Sequence, residues 1–269
     1  MIYYVNANAP REGNGSKERP FRRISDAANI ALPGDEVLVY PGVYREQVSP
    51  RNGGTEDNRI TYRSVEPLGA LITGAEEVSG WVKQENGLWM LRVDNAIFGD
   101  FNPYIVEAFG DWYFAPTVRH TCCVYLNDVA LYEALTMEEC IAGEVYTPSW
   151  DPENSIYKWI AEQDGNETVI YANFHDIDPN TQKTEINVRR RCFFPDETGK
   201  GYITFSGFKV EKAATTWAPR RPSRTVWSAP TGPRAGSLRT ARSATPSAAA
   251  SPWASTTTRR TTTTSPSSI

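Results

Sequence analysis

Residues 34–44, "GDEVLVYPGVY", contain two short runs of strand-forming residues on either side of a proline-glycine pair. Similar runs bounded by turn residues occur nearby in "YYVN" (3–6), "NRITYRS" (58–64) and "ALITG" (70–74). Short runs rich in Val, Ile, Tyr and Thr between Gly, Pro, Asn or Asp residues are typical of β-strands. These strands leave no room for hairpins, so the pattern favours strands that pair between successive coils.

A helix is predicted just before this stretch, in "PFRRISDAANIALPGD" (20–35), where Pro33 and Gly34 form a stop signal. Four apolar side chains recur there at helical spacing: Ile24, Ala27, Ala28 and Ala31. A short amphipathic helix before evenly recurring strands indicates the cap of a solenoid, whose first coil needs a cover over its open edge. We therefore predict that residues 1–75 form a capping helix and the first coils of a right-handed parallel β-helix.

The pattern changes between residues 76 and 191, where hairpin signals appear. Turn-forming residues separate β-rich runs at three places: Asn86-Gly87, Asn127-Asp128 and Asp164 to Asn166. Asn, Asp and Gly suit the positive φ angles of tight hairpin turns. This block therefore predicts an antiparallel β-sandwich. Residues 192–219 return to short strands, as in "GYITFSGFKV" (201–210), so the sandwich is predicted to be inserted into the solenoid of an all-β chain.

The composition argues against several partner classes. The 269 residues carry a formal net charge of −4 and basic runs are short, such as Arg189 to Arg191, so nucleic acid is not expected as a partner. No apolar segment approaches the roughly 20 residues of a membrane span, and the N-terminus lacks the features of a signal peptide. We therefore expect a cytoplasmic protein without a membrane partner.

The cysteines do not form a metal-binding or disulfide pattern. Cys122, Cys123, Cys140 and Cys192 show no CxxC spacing, and an adjacent pair suits neither a disulfide framework nor a zinc site. Free thiols are favoured over a metal site. No cofactor is expected.

Two carboxylates and two histidines are candidates for chemistry. Asp100 and Asp111 stand in a repeated "FGD" phrase. Two carboxylates beside a cleft are what glycosidic bond cleavage needs, but Gly-Asp pairs more often close turns between strands, and the turn role is favoured. His120 and His175 are isolated in loop-like stretches with no pattern of acid and nucleophile nearby, which favours satisfied surface histidines.

The tryptophans divide into two groups. Trp81, Trp89 and Trp159 lie in strand patterns, where packing in a core or a hairpin is expected. Trp112 follows the second "FGD" phrase and could present a flat apolar face to a sugar ring. On composition alone the packing role is favoured for all of them.

Seven phrases of the chain, taken in order, carry a resemblance to a known family. They are "GDEVLVYPGVYREQV", "FGDFNPY", "FGDW", "VIYANF" followed by "DPN", "EINVRRRCFFP", "ETGKGYITFSGF" and "AATTWAP". Together they resemble the N-terminal half of the β-xylosidases of glycoside hydrolase family 120, over nearly all of residues 1–219. The resemblance implies a right-handed, pectin-lyase-like β-helix with a β-sandwich inserted near its N-terminus.

The resemblance also implies an activity, which is retaining exo-hydrolysis of xylobiose and short xylo-oligosaccharides. Such enzymes use two carboxylates about 5 to 5.5 Å apart, one as nucleophile and one as acid/base. In the family both lie on later coils, beyond the counterpart of Pro219, so no catalytic residue is expected among the matched residues of this chain. Trp112 matches a family tryptophan on the sandwich that faces the xylose site, which implies a substrate-binding role.

The composition changes abruptly after Pro219. From Arg220 onward only Val226, Leu238 and Ile269 fall outside the set Ser, Pro, Thr, Ala, Arg, Gly and Trp. A one-base slip in a gene with G or C at most third codon positions produces this restricted set. The same slip turns the family-like phrase "KGWIIED" into "RAGSLRT", which occurs at residues 234–240. We therefore expect residues 220–269 to be a frameshifted, disordered tail, with a Ser/Thr/Pro-rich linker as the alternative.

The expected function is accordingly that of an inactive fragment of a β-xylosidase, with a xylo-oligosaccharide as the partner of the intact family member and a homo-oligomer left open for it. Two alternatives remain. One is a non-catalytic carbohydrate-binding or structural β-helix protein, and the other is a polysaccharide-lyase-like β-helix. A calcium-dependent lyase would need clustered acidic ligands on successive coils, and none is visible before Pro219.

Overall fold

The structure is a computed structural model that describes residues 1–10, 13–108, 117–149 and 151–215, together with the backbone of 237–239 and 242–244. The described chain is mostly β, with two short α-helices and three 3₁₀ helices. Its strands form four sheets. Two of these sheets are parallel, and the other two are antiparallel except for one strand pair.

Each parallel sheet takes strands from both ends of the described chain. The first contains, in spatial order, β1 (Ile2–Val5), β2 (Glu36–Val39), β4 (Ile60–Ser64), β15 (Ile203–Ser206) and β17 (Ser237–Arg239). The second contains β3 (Gly42–Arg45), β5 (Ala70–Thr73), β16 (Lys209–Glu211) and β18 (Arg242–Ala244). Every neighbouring pair in both sheets is parallel, which confirms the prediction of strands without hairpins.

The chain alternates between the two parallel sheets, passing from β2 to β3, from β4 to β5 and from β15 to β16. One apolar cluster unites the inward side chains of both sheets. Alternate residues of β2 and β4 enter it, Val37 and Val39 from the first strand and Ile60 and Tyr62 from the second, because successive side chains of a strand point to opposite faces. The ring of Phe205 in β15 stacks on Phe208 with 4.4 Å between the ring centroids.

The predicted helix is present but short. Helix α1 (Ile24–Ala28) is buried along one face, and all four residues of the predicted apolar set lie in the core cluster of the parallel sheets. The side chain of the N-cap residue, Arg23, does not cap the N-terminus of α1. Instead the buried carboxylate of Glu46 accepts hydrogen bonds from the backbone N–H groups of Ile24 (2.8 Å) and Ser25 (2.9 Å). The N-terminal orphan donors are therefore satisfied from a distant part of the chain.

Residues 75–187, here called the insert, form the two remaining sheets. One has the order β10 (Val129–Ala130), β9 (Val124–Leu126), β14 (Thr184–Asn187), β6 (Ala75–Val78). The other has the order β11 (Tyr132–Glu133), β12 (Lys158–Asp164), β13 (Glu167–Asn173), β8 (Trp89–Asp94), β7 (Val82–Lys83). The insert also contains α2 (Met137–Ala142) and 3₁₀ helices at Asn95–Phe98, Glu153–Ile156 and Pro179–Thr181.

The two sheets of the insert share one core. Leu91 of β8, Trp159 of β12 and Ile170 of β13 meet Val124 of β9 and Ile186 of β14 in a single buried cluster. Two sheets with one core between them are the arrangement predicted for a sandwich. The insert begins after β5 and ends before β15, yet β4 pairs with β15 and β5 pairs with β16. It therefore interrupts the chain between neighbouring strands of the parallel sheets.

All three predicted hairpins are confirmed. Strands β7 and β8, β9 and β10, and β12 and β13 pair in antiparallel fashion around the predicted turn residues. Asn127 and Asp128 both have positive φ angles, of 49° and 69°. Such angles at both central residues of a two-residue turn match the twist of a hairpin, and Asn and Asp tolerate them better than other side chains.

Two glycines are required for different reasons, and their substitution tests the described backbone. A Cβ at Gly165, whose φ is 59°, would meet no atom within 4 Å, whereas a Cβ at Gly74 would lie 2.6 Å from the carbonyl oxygen of Lys212. We expect Gly165→Ala to lower the free energy of unfolding by about 1 kcal/mol through backbone strain alone. Gly74→Ala should lower it by more, about 2 kcal/mol, because backbone must move. Urea unfolding measures both, and equal losses would contradict the packing described at Gly74.

The tail differs from its prediction at two points. The backbone of β17 continues the first parallel sheet beside β15, and that of β18 continues the second beside β16. An open strand edge presents unpaired N–H and C=O groups, which an extended segment can satisfy whatever its side chains. The prediction of a disordered tail therefore does not hold for these two segments, and the other residues of 220–269 lie outside the described part of the chain.

Candidate functional site

The two segments that flank residues 109–116 form a short antiparallel pair in the insert. Glu107 and His120 are bridge partners, and the backbone N–H of Ala108 donates to the carbonyl oxygen of Arg119 (2.6 Å). Side chains that lie directly opposite each other in an antiparallel pair share one face. The exposed Glu107 and the half-buried His120 are therefore neighbours.

The imidazole of His120 is held by Glu133 at the end of β11. Its Nδ1 lies 2.6 Å from Oε1 of Glu133, and its backbone N–H donates to Oε2 (3.0 Å). The Glu133 side chain is 8% exposed and the His120 side chain 30%. A buried carboxylate needs hydrogen-bond partners, and here both oxygens bind the same residue. The position of the ring is therefore set by two contacts.

The pKa of His120 is raised above its ordinary value. The hydrogen bond to Glu133 is the main cause, burial acts in the opposite direction, and the nearby charges of Glu133 and Glu107 raise the pKa further. The charge of Arg119 opposes this shift. A raised folded-state pKa means that the ion pair contributes stability below the unfolded pKa of about 6.5, and this stability is lost as pH rises through the folded pKa.

A substitution of His120 should therefore change the pH dependence of stability. We expect the difference in unfolding free energy between the parent and His120→Asn to be larger at about pH 6 than at about pH 9. The reason is that residue 120 binds a proton at the lower pH in the parent but not in the variant. Urea unfolding at both pH values measures this difference. Glu133→Gln should remove the same pH-dependent part, and parallel pH profiles of parent and variants would contradict the pair.

The two aspartates in the "FGD" phrases have different outcomes. Asp100 is exposed in the turn that follows the 3₁₀ helix Asn95–Phe98, directly after Gly99 with a φ of 61°. The favoured turn role is thus confirmed for Asp100. Asp111 lies outside the described residues, and so does Trp112, whose substrate-binding role stays a prediction.

The prediction of satisfied surface histidines is right for one of the two. His175 is exposed, and its Nε2 lies 3.1 Å from the carbonyl oxygen of Ile156. For His120 the prediction holds only in part: the ring is hydrogen-bonded, but it is half buried and its partner is a nearby acid. The acid, Glu133, is 13 residues away along the chain, and only the pairing of strands brings it close. A polar residue in the half-buried run "ALYEAL" is the one local signal that marks it.

The tryptophans predicted to pack do so. Trp159 is 1% exposed in the core of the insert, and Trp81 is 3% exposed with its Nε1 donating to Oγ1 of Thr184 (3.1 Å). Trp89 is half-buried in the β7–β8 hairpin, where Nζ of Lys83 lies 5.7 Å from its ring centroid. The side chains of these three tryptophans therefore pack within the insert.

The four cysteines are free, as the sequence predicts, and all four are buried. Burial raises the pKa of Cys123, Cys140 and Cys192 to about 12, and it also raises that of Cys122. Thiols of this kind are unreactive, since the thiolate is the reactive form. Among the described residues no three His, Cys, Asp or Glu side chains are grouped so that they could hold a metal ion. No helix in the described ranges could cross a membrane.

A second polar cluster lies where the insert meets the parallel sheets. Lys212 directly follows β16 and is 3% exposed. Its Nζ contacts the carboxylates of Glu185 and Asp128 and lies 4.9 Å from the ring centroid of Tyr125. Its backbone is left-handed, with a φ of 56°, and its carbonyl oxygen accepts a hydrogen bond from Nδ2 of Asn187 (2.5 Å). Both the side chain and the backbone of Lys212 thus bind the insert.

Arg45 makes a matching contact from the end of β3. Its Nη1 donates to Oε1 of Glu185 (2.9 Å) and to the carbonyl oxygen of Ala75 (2.9 Å), and its Nη2 lies 3.4 Å from Glu77. Glu185 is 2% exposed, so this carboxylate is buried between Arg45 at the end of β3 and Lys212 just after β16, both from the second parallel sheet's side of the junction. We call this set the junction network: Arg45, Glu77, Asp128, Lys183, Glu185 and Lys212.

The junction network keeps the carboxylates of Glu185 and Asp128 ionised. Burial acts to raise the pKa of Glu185, but hydrogen bonds from Lys212 and Arg45 outweigh it, and the pKa lies below its ordinary value. Burial likewise opposes the hydrogen bonds from Lys183 and Lys212 at Asp128, whose pKa is held well below its usual range. A depressed carboxylate pKa contributes stability that is present above the unfolded pKa and is lost as pH falls through the folded pKa. The network should therefore weaken in acid.

Comparison with known proteins identifies the insert. Residues 78–186 match the family model described as "Glycoside hydrolase 120, insertion domain". The chain carries a glycoside hydrolase family 120 insertion domain. The match begins at the end of β6 and ends within β14, so it includes Glu107, His120 and Glu133.

The similarity extends beyond the insertion domain. A solved structure described as the complex of XylC with xylose is similar to the chain with a TM-score of 0.76 and 41% identity, covering 81% of this chain and 36% of that one. The uncharacterized protein YwoF of Bacillus subtilis (strain 168) is 34% identical over 71 residues, which are 26% of this chain and 15% of YwoF. The chain thus spans about a third of XylC and a smaller share of YwoF.

Proposed function

We propose that this chain is the N-terminal part of a retaining exo-β-xylosidase that acts on xylobiose and short xylo-oligosaccharides. The observation that carries the proposal is the 41% identity to XylC, a protein solved in complex with xylose, over 81% of the chain. The family 120 insertion domain at residues 78–186 supports it independently. The proposal assigns a sugar as the ligand.

The fold proposed for the intact protein is a right-handed parallel β-helix. Three observations support it: two parallel sheets share a core, the chain alternates between them, and α1 packs against the core beside β1 and β2. A helix at this place covers the first coil of a solenoid, as the sequence predicts. The insert would then be a sandwich carried between two successive coils.

We propose further that the 269-residue polypeptide binds xylose without hydrolysing xylosides. Retaining hydrolysis needs a nucleophilic carboxylate and a second carboxyl group as acid/base. The family resemblance assigns both to coils that follow the counterpart of Pro219, where this chain departs from the family pattern. Binding of xylose to the chain, measured by isothermal titration calorimetry, tests the proposal, and a chain that binds no xylose would contradict it.

Trp112 is the proposed aromatic platform for the sugar. A stacking aromatic contributes roughly 0.5 to 1.5 kcal/mol beyond its buried area, so Trp112→Ala should weaken xylose binding by a few-fold to about tenfold. The half-buried Trp89 in the β7–β8 hairpin is the matched control, and Trp89→Phe should leave xylose affinity unchanged. Calorimetric titration of both variants is the measurement. An unchanged affinity in Trp112→Ala together with a lower unfolding temperature would instead assign Trp112 to the core.

A further inference from the structure

The contacts of the described residues give no role to the ring nitrogen Nε2 of His120. Nδ1 of the same ring binds Glu133, and Nε2 has no hydrogen-bond partner in the described part of the chain. It is also not among the buried unpartnered atoms found there. The His120 side chain as a whole is 30% exposed, so solvent reaches part of the ring.

The orientation of this ring is set before any ligand arrives. Glu133 accepts both the ring N–H at Nδ1 and the backbone N–H of His120, so the imidazole cannot rotate without losing a bond to a buried carboxylate. With its proton on Nδ1, a neutral histidine presents Nε2 as a hydrogen-bond acceptor. An acceptor held in one direction by a second residue is the arrangement that preorganised binding sites use.

A carboxylate stands beside this acceptor. Glu107 is the bridge partner of His120, is exposed, and raises the pKa of the imidazole by its charge. Opposite residues of an antiparallel pair have their Cβ atoms about 4.5 to 5.5 Å apart on one face. Glu107 and His120 thus offer two acceptors on one face of the strand pair, where a ligand with neighbouring hydroxyl donors can reach both.

We propose that His120 and Glu107 bind neighbouring hydroxyl groups of a sugar, with Glu133 as the residue that positions the imidazole. The inference rests on the proposed function for the choice of a pentose as ligand. If His120 had a purely structural role, Glu133 would need only a hydrogen-bond donor at the position of Nδ1. Loss of Nε2 would then have no effect on sugar binding.

The composition of the chain allows a direct test, since it contains two histidines, His120 and His175. In the NMR spectrum of a sample labelled with 15N-histidine, the two imidazoles give separate signals. The set of signals that is lost in His120→Asn belongs to His120. At about pH 8 we expect His120 in the Nδ1–H tautomer. Added xylose should shift its Nε2 resonance in a saturable manner, and the signals of His175 should not move.

The variant His120→Asn separates positioning from binding. The amide nitrogen of Asn stands near the position of Nδ1 and can donate to Glu133, but the variant has no atom at Nε2. We expect it to fold with an unfolding temperature close to the parent's and to bind xylose about three- to tenfold more weakly. Glu107→Gln should also weaken binding. Equal shifts with ethylene glycol at matched hydroxyl concentration would overturn the proposal, because any hydroxyl would then suffice.

The outcomes distinguish this inference from the function on which it rests. If xylose binds the chain while the His120 resonances and the affinity of His120→Asn stay unchanged, the inference is wrong and the proposed function stands. If xylose does not bind the chain at all, the proposed function fails, and the inference fails with it.

Discussion

Lys212→Met is expected to lower the free energy of unfolding by about 3 kcal/mol, because it removes one cation from a buried ion network and leaves its carboxylates behind. The side chain of Lys212 is 3% exposed, and its Nζ contacts Glu185, which is 2% exposed. Met has nearly the same length and volume, so the change removes charge and leaves packing intact. Urea unfolding followed by tryptophan fluorescence measures the loss.

Lys209 provides the matched control for this substitution. It lies on β16, the strand that Lys212 follows, with its Nζ 2.9 Å from Glu211; the side chain of Lys209 is 41% exposed and that of Glu211 is 8% exposed. Because the ammonium group of Lys209 remains in contact with water, Lys209→Met should lower the free energy of unfolding by clearly less than Lys212→Met. Similar small losses in both variants would contradict a junction held by buried charge.

The combination with Glu185→Gln tests whether the two residues act together. If Lys212 stabilises the junction through Glu185, the double variant should lose less than the sum of the two single losses, since the second substitution removes the charge that Lys212 neutralised. Additive losses would mean that the residues act separately. Hydrogen exchange at Ala75 and Asn187 would locate the effect, because both lie where the insert joins the parallel sheets.

Local chemistry was sufficient to predict the hairpins. Asn127 and Asp128 stand between two β-rich runs, and the positive φ angles found there are those that the turn demands. The same holds for Gly165 in the β12–β13 turn, with a φ of 59°. These features depend on residues that are adjacent in the chain, so a sequence pattern contains the information.

The length of α1 could not be predicted in this way. Helical spacing extends to Ala31, but the regular helix ends at Ala28, and its N-terminus is capped by Glu46. That carboxylate lies 22 residues after Ile24 and reaches it only once the first strands have paired. Contacts of this kind depend on the fold of the whole unit.

The polar sites were missed for the same reason. His120 and Glu133 are 13 residues apart, and Arg45 and Glu185 are 140 residues apart. Neither pair has a spacing that marks it as a motif. The family resemblance predicted the insert as a unit, but it could not supply these contacts, because they arise where strands from separate parts of the chain meet.

The largest effect on the rate of xyloside hydrolysis is expected when the reading frame is restored. Adding one base after the codon for Pro219 should restore the family pattern downstream and with it the two carboxylates that retaining hydrolysis needs. General acid/base assistance alone is typically worth 10² to 10⁴ in rate. The frame-restored protein should therefore hydrolyse an aryl β-xyloside at least about 100-fold faster than the 269-residue chain.

The variant Asp100→Asn tests whether a carboxylate of the insert takes part in catalysis. Asp100 is exposed in a turn, and Asp100→Asn should leave the rate of the frame-restored protein unchanged. Loss of activity in that variant would move the catalytic centre into the insert. The restored chain should also be less prone to aggregate. In the present chain the parallel sheets end at β17 and β18, and further coils would cover these edges.

The proposed function is tested by hydrolysis of an aryl β-xyloside by the 269-residue chain and the frame-restored protein, side by side at equal concentration. We expect turnover by the restored protein and none above background by the 269-residue chain. Equal turnover by the two proteins, or none by a restored protein that folds and binds xylose, would contradict the proposed function.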